Sequence, residues 1–346
     1  MRAPILLLSL LISTSLSAQF QPEITEVLPA DGPADGGTRV KIRGEGFAEG
    51  CLVPCIPPQL PTVTFGGVRS IEVRVIDSTR IEAVTPPHLP GVVHVEVFQG
   101  NGTGIKRSGF TYSGDATAVL EQVLLPIYSP PVRGAFGSDF RTELRVYNRG
   151  SKRVALAGIP RACPLCPPPN LLNSTLEIPA GKEAIPISSG NPGAFIYVPR
   201  ESSGDVALNL RVFDVSRSET IFGTEVPVAR ESDFHRTITL LGVPLDDLFR
   251  SALRIYAREP LRVVVSFSGD ESVAAGGPEQ FTPLSGLTVT LQPGRNLFEP
   301  AYAVVTDFPE IEEATTRITI TASAPVWAFV TVTNNETQQI TTISPQ

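Results

Sequence analysis

One eight-residue pattern occurs twice in this chain. Phe140-Arg141-Thr142-Glu143-Leu144-Arg145-Val146-Tyr147 is echoed by Phe249-Arg250-Ser251-Ala252-Leu253-Arg254-Ile255-Tyr256. In the first copy Phe140, Thr142, Leu144 and Val146 fall on one side, and Arg141, Glu143, Arg145 and Tyr147 on the other. That two-residue period is the mark of a strand with one buried face. More matches follow in the same order: residues 176–181 with 289–294, and 215–220 with 332–337. The spacing between copies drifts slightly, as it does for two homologous units with small loop insertions rather than one solenoid. The units run over residues 119–230 and 231–346, each the size of a β-sandwich.

Elsewhere, 33 prolines and 29 glycines cut the 346 residues into short alternating segments. Turn residues between period-two runs predict strands, and long helical stripes are missing. The best helical candidates are short, at residues 118–125, 245–250 and 309–314. Hydrophobic residues make up 42 % of the chain, enough apolar mass for packed cores. The expected fold class is all-β, as tandem immunoglobulin-like β-sandwiches.

Residues 22–113 hold an ordered set of Gly, Pro and Phe. Pro29, Gly32-Pro33 and Gly36-Gly37-Thr38 precede a strand at 39–43, and Gly44-Glu45-Gly46-Phe47 follows it. Phe65-Gly66-Gly67, strands at 71–76 and 81–84, Pro86-Pro87, Gly91, a strand at 93–97 and Phe110-Thr111-Tyr112 complete the order. Val40 and Ile42 alternate with charged neighbours, and Val93, Val95 and Val97 alternate with His94 and Glu96. Gly36-Gly37 and Gly66-Gly67 suit turns that need positive φ. This segment resembles the IPT/TIG family, immunoglobulin-like domains found in plexins, some transcription factors and bacterial surface proteins. The resemblance implies an antiparallel β-sandwich. The second part of the chain is similar to tandem β-sandwich repeats of secreted bacterial proteins of unknown role.

Met1-Arg2-Ala3, an apolar run over 4–16 and Ser17-Ala18 read as a signal peptide over residues 1–18, cut after Ala18. The 13-residue run is short for a membrane span, so the mature chain is expected to be exported, with no membrane span after cleavage. In an oxidising compartment two close pairs, Cys51 with Cys55 and Cys163 with Cys166, read as local disulfides, each bracing a proline-rich loop. A four-Cys zinc site and a redox-active C-x-x-C are the other readings. Zinc suffers from the long separation of the pairs, and redox chemistry from Pro167-Pro168-Pro169 after Cys166.

A formal charge of −7 argues against nucleic acid, which needs a basic face. Three His and four Cys leave little for a metal or haem centre, and no cofactor is expected. There is no G-x-S-x-G, H-E-x-x-H, P-loop or EF-hand pattern. Asp246-Asp247 and Glu312-Glu313 read as turn and helix-start charges, and His88, His94 and His235 as structural. Trp327 sits in a run, 324–330, apolar at odd and even positions alike, so it reads as core rather than a sugar platform. The candidate binding face is the outward side of the repeated strand: Arg141, Arg145, Tyr147 and Arg149 in one copy, Arg250, Arg254, Tyr256 and Arg258 in the other. Guanidinium groups there suit carboxylates of an acidic polysaccharide or partner. The bland alternative is that these arginines pair with acids on neighbouring strands. The expected role is a non-enzymatic, extracytoplasmic binding or adhesion protein, a monomer, with a protein or glycan at the cell surface as partner. A component of extracellular polysaccharide breakdown and a structural spacer are the alternatives.

Overall fold

The computed structural model describes residues 21–47, 60–100, 102–128, 131–134, 137–159, 171–186, 193–216, 223–269, 283–308 and 315–345. The signal peptide and residues 309–314 lie outside the described residues. So do Cys51 and Cys55, and Cys163 and Cys166, the two pairs expected as disulfides. The described residues thus hold neither a disulfide nor a free cysteine.

In the first unit, alternation sets two sheets face to face. One carries, in order, Glu23–Leu28, Arg39–Glu45, Arg80–Val84 and Glu72–Asp77. The other carries Asp31–Pro33, Gly102–Ser113, Gly91–Gln99, Thr62–Phe65 and Val68–Arg69. The chain changes sheet between Leu28 and Asp31, where Asp31–Pro33 pairs parallel with Thr111 to Ser113. Val40, Ile42, Val93, Val95 and Val97 all point inward and are fully buried, as their spacing required. Gly66 and Gly67 take φ of 58° and 83°. At Gly66 there is no room either, since a Cβ would strike His88 Nε2 and the Leu172 carbonyl.

The second unit repeats the two-sheet plan. Leu120–Leu125, Ala194–Pro199, Val154–Ala157 and Thr175–Ile178 form one sheet. Val132–Arg133, Asp139–Asn148, Val206–Asp214 and Thr224–Val226 form the other, with Glu183–Ala184 also pairing to Asp139–Asn148. The segment 118–125, expected as helix, is a strand from Leu120. Leu120, Val123, Leu124 and Leu125 fit either period in so short a run, and pairing with Ala194–Pro199 decides it. Residues 245–250 likewise make only one turn, closed by Leu248 N–H donating to Asp246 Oδ1 at 2.9 Å, before the strand Phe249–Ala257 begins.

The third unit carries the repeated strand in a matching register. That register sets residues 326–334 where 206–214 stand, three residues off the sequence match of 215–220 with 332–337. Phe140 opposes Asp214 and Asn148 opposes Val206; Phe249 opposes Asn334 and Ala257 opposes Val326. The copies differ at one crossing. In the second unit the chain passes between sheets through a 3-10 turn, Arg200–Asp205. In the third a single 20-residue strand, Thr315–Asn334, serves both sheets. Its first half pairs with His235–Pro244 and Arg262–Gly269, its second with Phe249–Ala257 and Ile340–Ile343.

That long strand explains the doubly apolar run. Val326, Ala328, Val330 and Val332 face the core of their own unit. Trp327 and Phe329 face the other way and join the core of the second unit, with Tyr256. Trp327 is 3 % exposed and stacks on Phe329 with ring centroids 5.2 Å apart. The two repeats are therefore docked through a shared apolar layer rather than strung on a linker.

Candidate binding groove between the repeats

The two outward faces of the repeated strand have different surroundings. On the first copy Arg145 Nε donates to Glu143 at 2.8 Å and Nη1 to Glu183 at 3.3 Å. These acids raise the Arg145 pKa, Glu143 foremost. Glu143 lies opposite Arg211, which lies opposite Glu225. Arg141 lies over the Phe213 ring, 5.7 Å from its centroid. Arg149 donates to the Gly204 carbonyl at 2.8 Å. Tyr147 is 44 % exposed. On this solvated face acids answer Arg145, the bland arrangement the sequence allowed, while Arg141 meets an aromatic ring and Arg149 a carbonyl.

On the second copy the strands on either side bring no acid. Arg254 lies opposite Phe329 on one neighbour and Val304 on the other. Arg250 is held by Asn335 Oδ1 at 2.6 Å and Gln338 Oε1 at 2.7 Å. Tyr256 is not on an open face, contrary to the expectation. It is fully buried, and its hydroxyl donates to the Pro126 carbonyl of the preceding unit. Its side chain points away from its own sandwich, as the alternation says, but the second unit roofs that side. Burial pushes the Tyr256 phenol up to about 12, against a lowering by Arg254. Arg258 sits at the rim, 3.5 Å from Glu231 and over the Phe234 ring.

Where the roof ends, a groove of about 640 Å³ opens. Phe140 comes to it from the second unit, and Arg250, Arg254, Thr331 and Thr333 from the outward face of the third. Asp246, Asp247 and Thr306 complete its polar wall. Arg254 Nε is buried and has no hydrogen-bond partner. Of the sequence candidates, then, Arg250 and Arg254 come together in one concavity. Arg141, Arg145, Tyr147 and Arg149 lie on a separate, neutralised sheet face. Reasoning from the sequence missed Phe140, Thr331 and Thr333 as partners. A signal existed: residues 326–334 carry no charge, whereas the matching 206–214 carry Arg211 and Asp214.

A second concavity, about 320 Å³, lies between the first and second units and is lined in part by Arg69, Ile71, Arg153, Glu177 and Tyr197. Its cations are answered: Arg69 Nε donates to Glu177 Oε2 at 2.9 Å, and Arg153 stands 3.7 Å from the same carboxylate. His88, expected in a loop, is buried in this joint. It stacks on Tyr112 with centroids 4.9 Å apart, and its Nδ1 lies 2.8 Å from the Leu89 carbonyl. Burial lowers its pKa, so the imidazole is held neutral. His94 Nδ1 accepts from the Ser108 amide at 3.1 Å. The joint is tied further by Thr175 Oγ1 donating to the Gly66 carbonyl at 3.0 Å and the His94 amide to Asn173 Oδ1 at 2.7 Å.

Among the described residues no group of three or more His, Cys, Asp or Glu could hold a metal ion. No helix among them is long and apolar enough to cross a membrane.

The ordered Gly, Pro and Phe set and the two-sheet sandwich of the first unit agree with a comparison against known families. Residues 22–113 match the IPT/TIG domain family. No curated protein matches the chain. Among solved structures, a gamma-CGTase from an alkalophilic Bacillus clarkii is 17 % identical, covering 61 % of this chain and 24 % of its own, with a TM-score of 0.21. An auxiliary nutrient binding protein from Bacteroides ovatus is 16 % identical over 59 % of this chain and 46 % of its own, TM-score 0.22. SGBP-B from a complex xyloglucan utilization locus in Bacteroides uniformis is 11 % identical over 93 % and 73 %, TM-score 0.21. The chain spans a quarter to a half of the length of the first three structures it resembles. No residue role passes from them to the IPT/TIG domain or the repeats.

Proposed function

We propose that this is an exported, non-enzymatic binding protein of the cell envelope or its surroundings, holding a partner in the groove between its two repeats. One observation carries the reading. In one copy of the strand Arg145 pairs with Glu143 and Glu183, whereas in the other Arg254, at the same place, has no carboxylate within ion-pair distance among the described residues and lines a concavity. An arginine with an unbonded donor, lining a concavity beside carboxylates and hydroxyls, is what a binding surface needs and a scaffold does not. The IPT/TIG domain and the firm packing of the repeats support a pre-formed site rather than a flexible one. The apolar leader at residues 4–16 supports export.

The test uses the purified mature chain on a glycan array, alongside capture from envelope extracts. Specific retention of a glycan or an envelope protein, weakened by substitution in the groove, is the expected result. Retention of neither rejects the proposal. Hydrolysis of any polysaccharide, lost on mutating Asp246 or Asp247, replaces it with a degradative role. Intact mass with and without reductant checks the exported state, with Cys51 bonded to Cys55 and Cys163 to Cys166. A shift of four protons is expected, and free thiols or bound zinc refute it.

A further inference from the structure

We infer that the groove between the repeats is a subsite for a uronic acid residue of an acidic glycan, with the Arg254 guanidinium receiving the ligand carboxylate. This rests on the binding role proposed above and names the ligand class.

Arg254 is a cation whose guanidinium meets the Tyr256 hydroxyl beside it. Its cross-strand neighbours are Phe329 and Val304. Among the described residues no carboxylate stands within ion-pair distance of it, although ten other arginines there have one. Its Nε–H is shielded from water and unbonded. A buried donor without an acceptor, on a charged group, is costly to keep. A planar carboxylate answers the accessible part of a guanidinium with charge-assisted hydrogen bonds and offsets its charge.

The rest of the wall narrows the class. Asp246 and Asp247 line the same groove as the two arginines, so its charge is balanced. A densely charged anion, such as an acidic peptide or a sulfated chain, would meet those carboxylates as like charges. A uronic acid residue offers one carboxylate for Arg254 and several hydroxyls. The hydroxyls can donate to Asp246 or Asp247 and exchange hydrogen bonds with Thr306, Thr331 and Thr333. Phe140 supplies an apolar face for the C–H side of a sugar ring. Arg250, four residues along the strand and about 13 Å away at strand rise, is already fixed by Asn335 and Gln338. It is placed to meet a different residue of the same oligosaccharide.

The experiment is calorimetric titration of the full mature chain with trimers of galacturonate, mannuronate and guluronate, and with the neutral galactose and mannose trimers. At least one uronate trimer is expected to bind about tenfold or more tighter than its neutral counterpart, the size of a charge-assisted hydrogen bond pair. Arg254→Gln should abolish that preference, Arg254→Lys should keep part of it, and Arg145→Gln on the neutralised face should leave it intact. Thermal melts of each variant separate a lost ligand from a lost fold, and the Lys variant keeps the test open if Gln does not fold. Neutral and acidic trimers binding alike, with Arg254→Gln indifferent, overturns the uronate subsite but leaves the binding role standing. No uronate binding, with an envelope protein captured instead, overturns the glycan and again spares the role. Nothing bound in either assay removes both.

Discussion

The two repeats share a strand plan but use the outward face of one strand differently. Tyr147 and Tyr256 hold the same place in the repeat. Across the sheet from Tyr147 stands Ala207; across from Tyr256 stands Trp327. The first pair is open to solvent at the tyrosine, which is 44 % exposed; the second is buried in the layer between the units. The difference teaches that one substitution site, small in one copy and aromatic in the other, decides whether a sheet face is a surface or an interface. Once that end of the face was roofed, the arginines farther along were left in the mouth of a groove, where neither neighbouring strand brings Arg254 the acids that flank its counterpart Arg145.

The largest expected effect breaks this contrast directly. Tyr256→Ala removes a fully buried ring from the shared layer and leaves the Pro126 carbonyl without its donor, a loss of about 3–5 kcal/mol. Tyr147→Ala, at the same place in the other copy, should stay within about 0.5 kcal/mol. Urea unfolding of both variants measures the difference. Equal losses would mean that the repeats are not held together through this layer.

Much of this was legible in the residues. Val40, Ile42 and Val93 to Val97 declared their buried faces by alternation alone, and the repeat announced two matching units. Trp327 declared itself as core because its strand is apolar on both sides. Tyr256 could not, because alternation reports which side of a strand a residue takes and not what lies on that side. The face was outward from its own sandwich, and only the docking of a second unit made it interior. Residues 118–125 failed for another reason. Within them Leu120–Leu125, six residues with four apolar positions, satisfies a helix and a strand equally, and the partner strand 194–199, far along the chain, made the choice. The arginine ladder was legible as arginines that pair with acids or arginines that meet a ligand; Arg145 pairs with Glu143 and Glu183, Arg258 with Glu231, and Arg250 is held by Asn335 and Gln338.

A second prediction sharpens the difference at the sheet crossing. In the second unit the turn Arg200–Asp205 is tied down by Arg230. Its guanidinium pairs with Glu121 at 2.7 Å and donates to the Val206 carbonyl at 3.0 Å, while Ser203 Oγ donates to the same Glu121 carboxylate. The third unit crosses on one unbroken strand through Pro325 and has no such turn to hold. Arg230→Ala leaves the Glu121 carboxylate, 11 % exposed, without its cation. A loss of about 2 kcal/mol is expected, below that of a fully sealed pair because Arg230 itself is one-third exposed. The measurement is the urea midpoint together with hydrogen exchange at 200–206. Unchanged protection there would mean the turn holds without the ion pair.

The smallest effect concerns charge at the end of the repeated strand, and it is readable only as a difference between copies. Asp214 and Asn334 occupy matched positions, opposite Phe140 and Phe249. Both close a turn: Asp214 Oδ1 accepts from the Ser216 amide at 3.1 Å and its hydroxyl at 2.6 Å, while Asn334 Oδ1 accepts from the Glu336 and Thr337 amides at 2.9 and 2.8 Å. Only Asp214 titrates. Burial raises its pKa, but hydrogen bonds from Ser216, Asp139 and Ser138 together outweigh that and bring it to about 2, from 3.8. A carboxylate with a depressed folded pKa adds stability above its unfolded value and loses it as the pH falls from about 4 to about 2. The group is half-buried, and screening from its open side reduces its share to about 1 kcal/mol. Asp214→Asn should therefore match wild type at pH 3 to 2 more closely than at pH 6, where it is the less stable of the two. Asp77, held at about 2 chiefly by Arg80, is common to both proteins and cancels in the comparison. Asn334→Asp should do the reverse, giving the third unit an acid-sensitive turn it now lacks. If urea midpoints for wild type and Asp214→Asn run parallel from pH 6 to pH 2, the charge at this turn contributes nothing, and the two copies close their strands equally well with or without it.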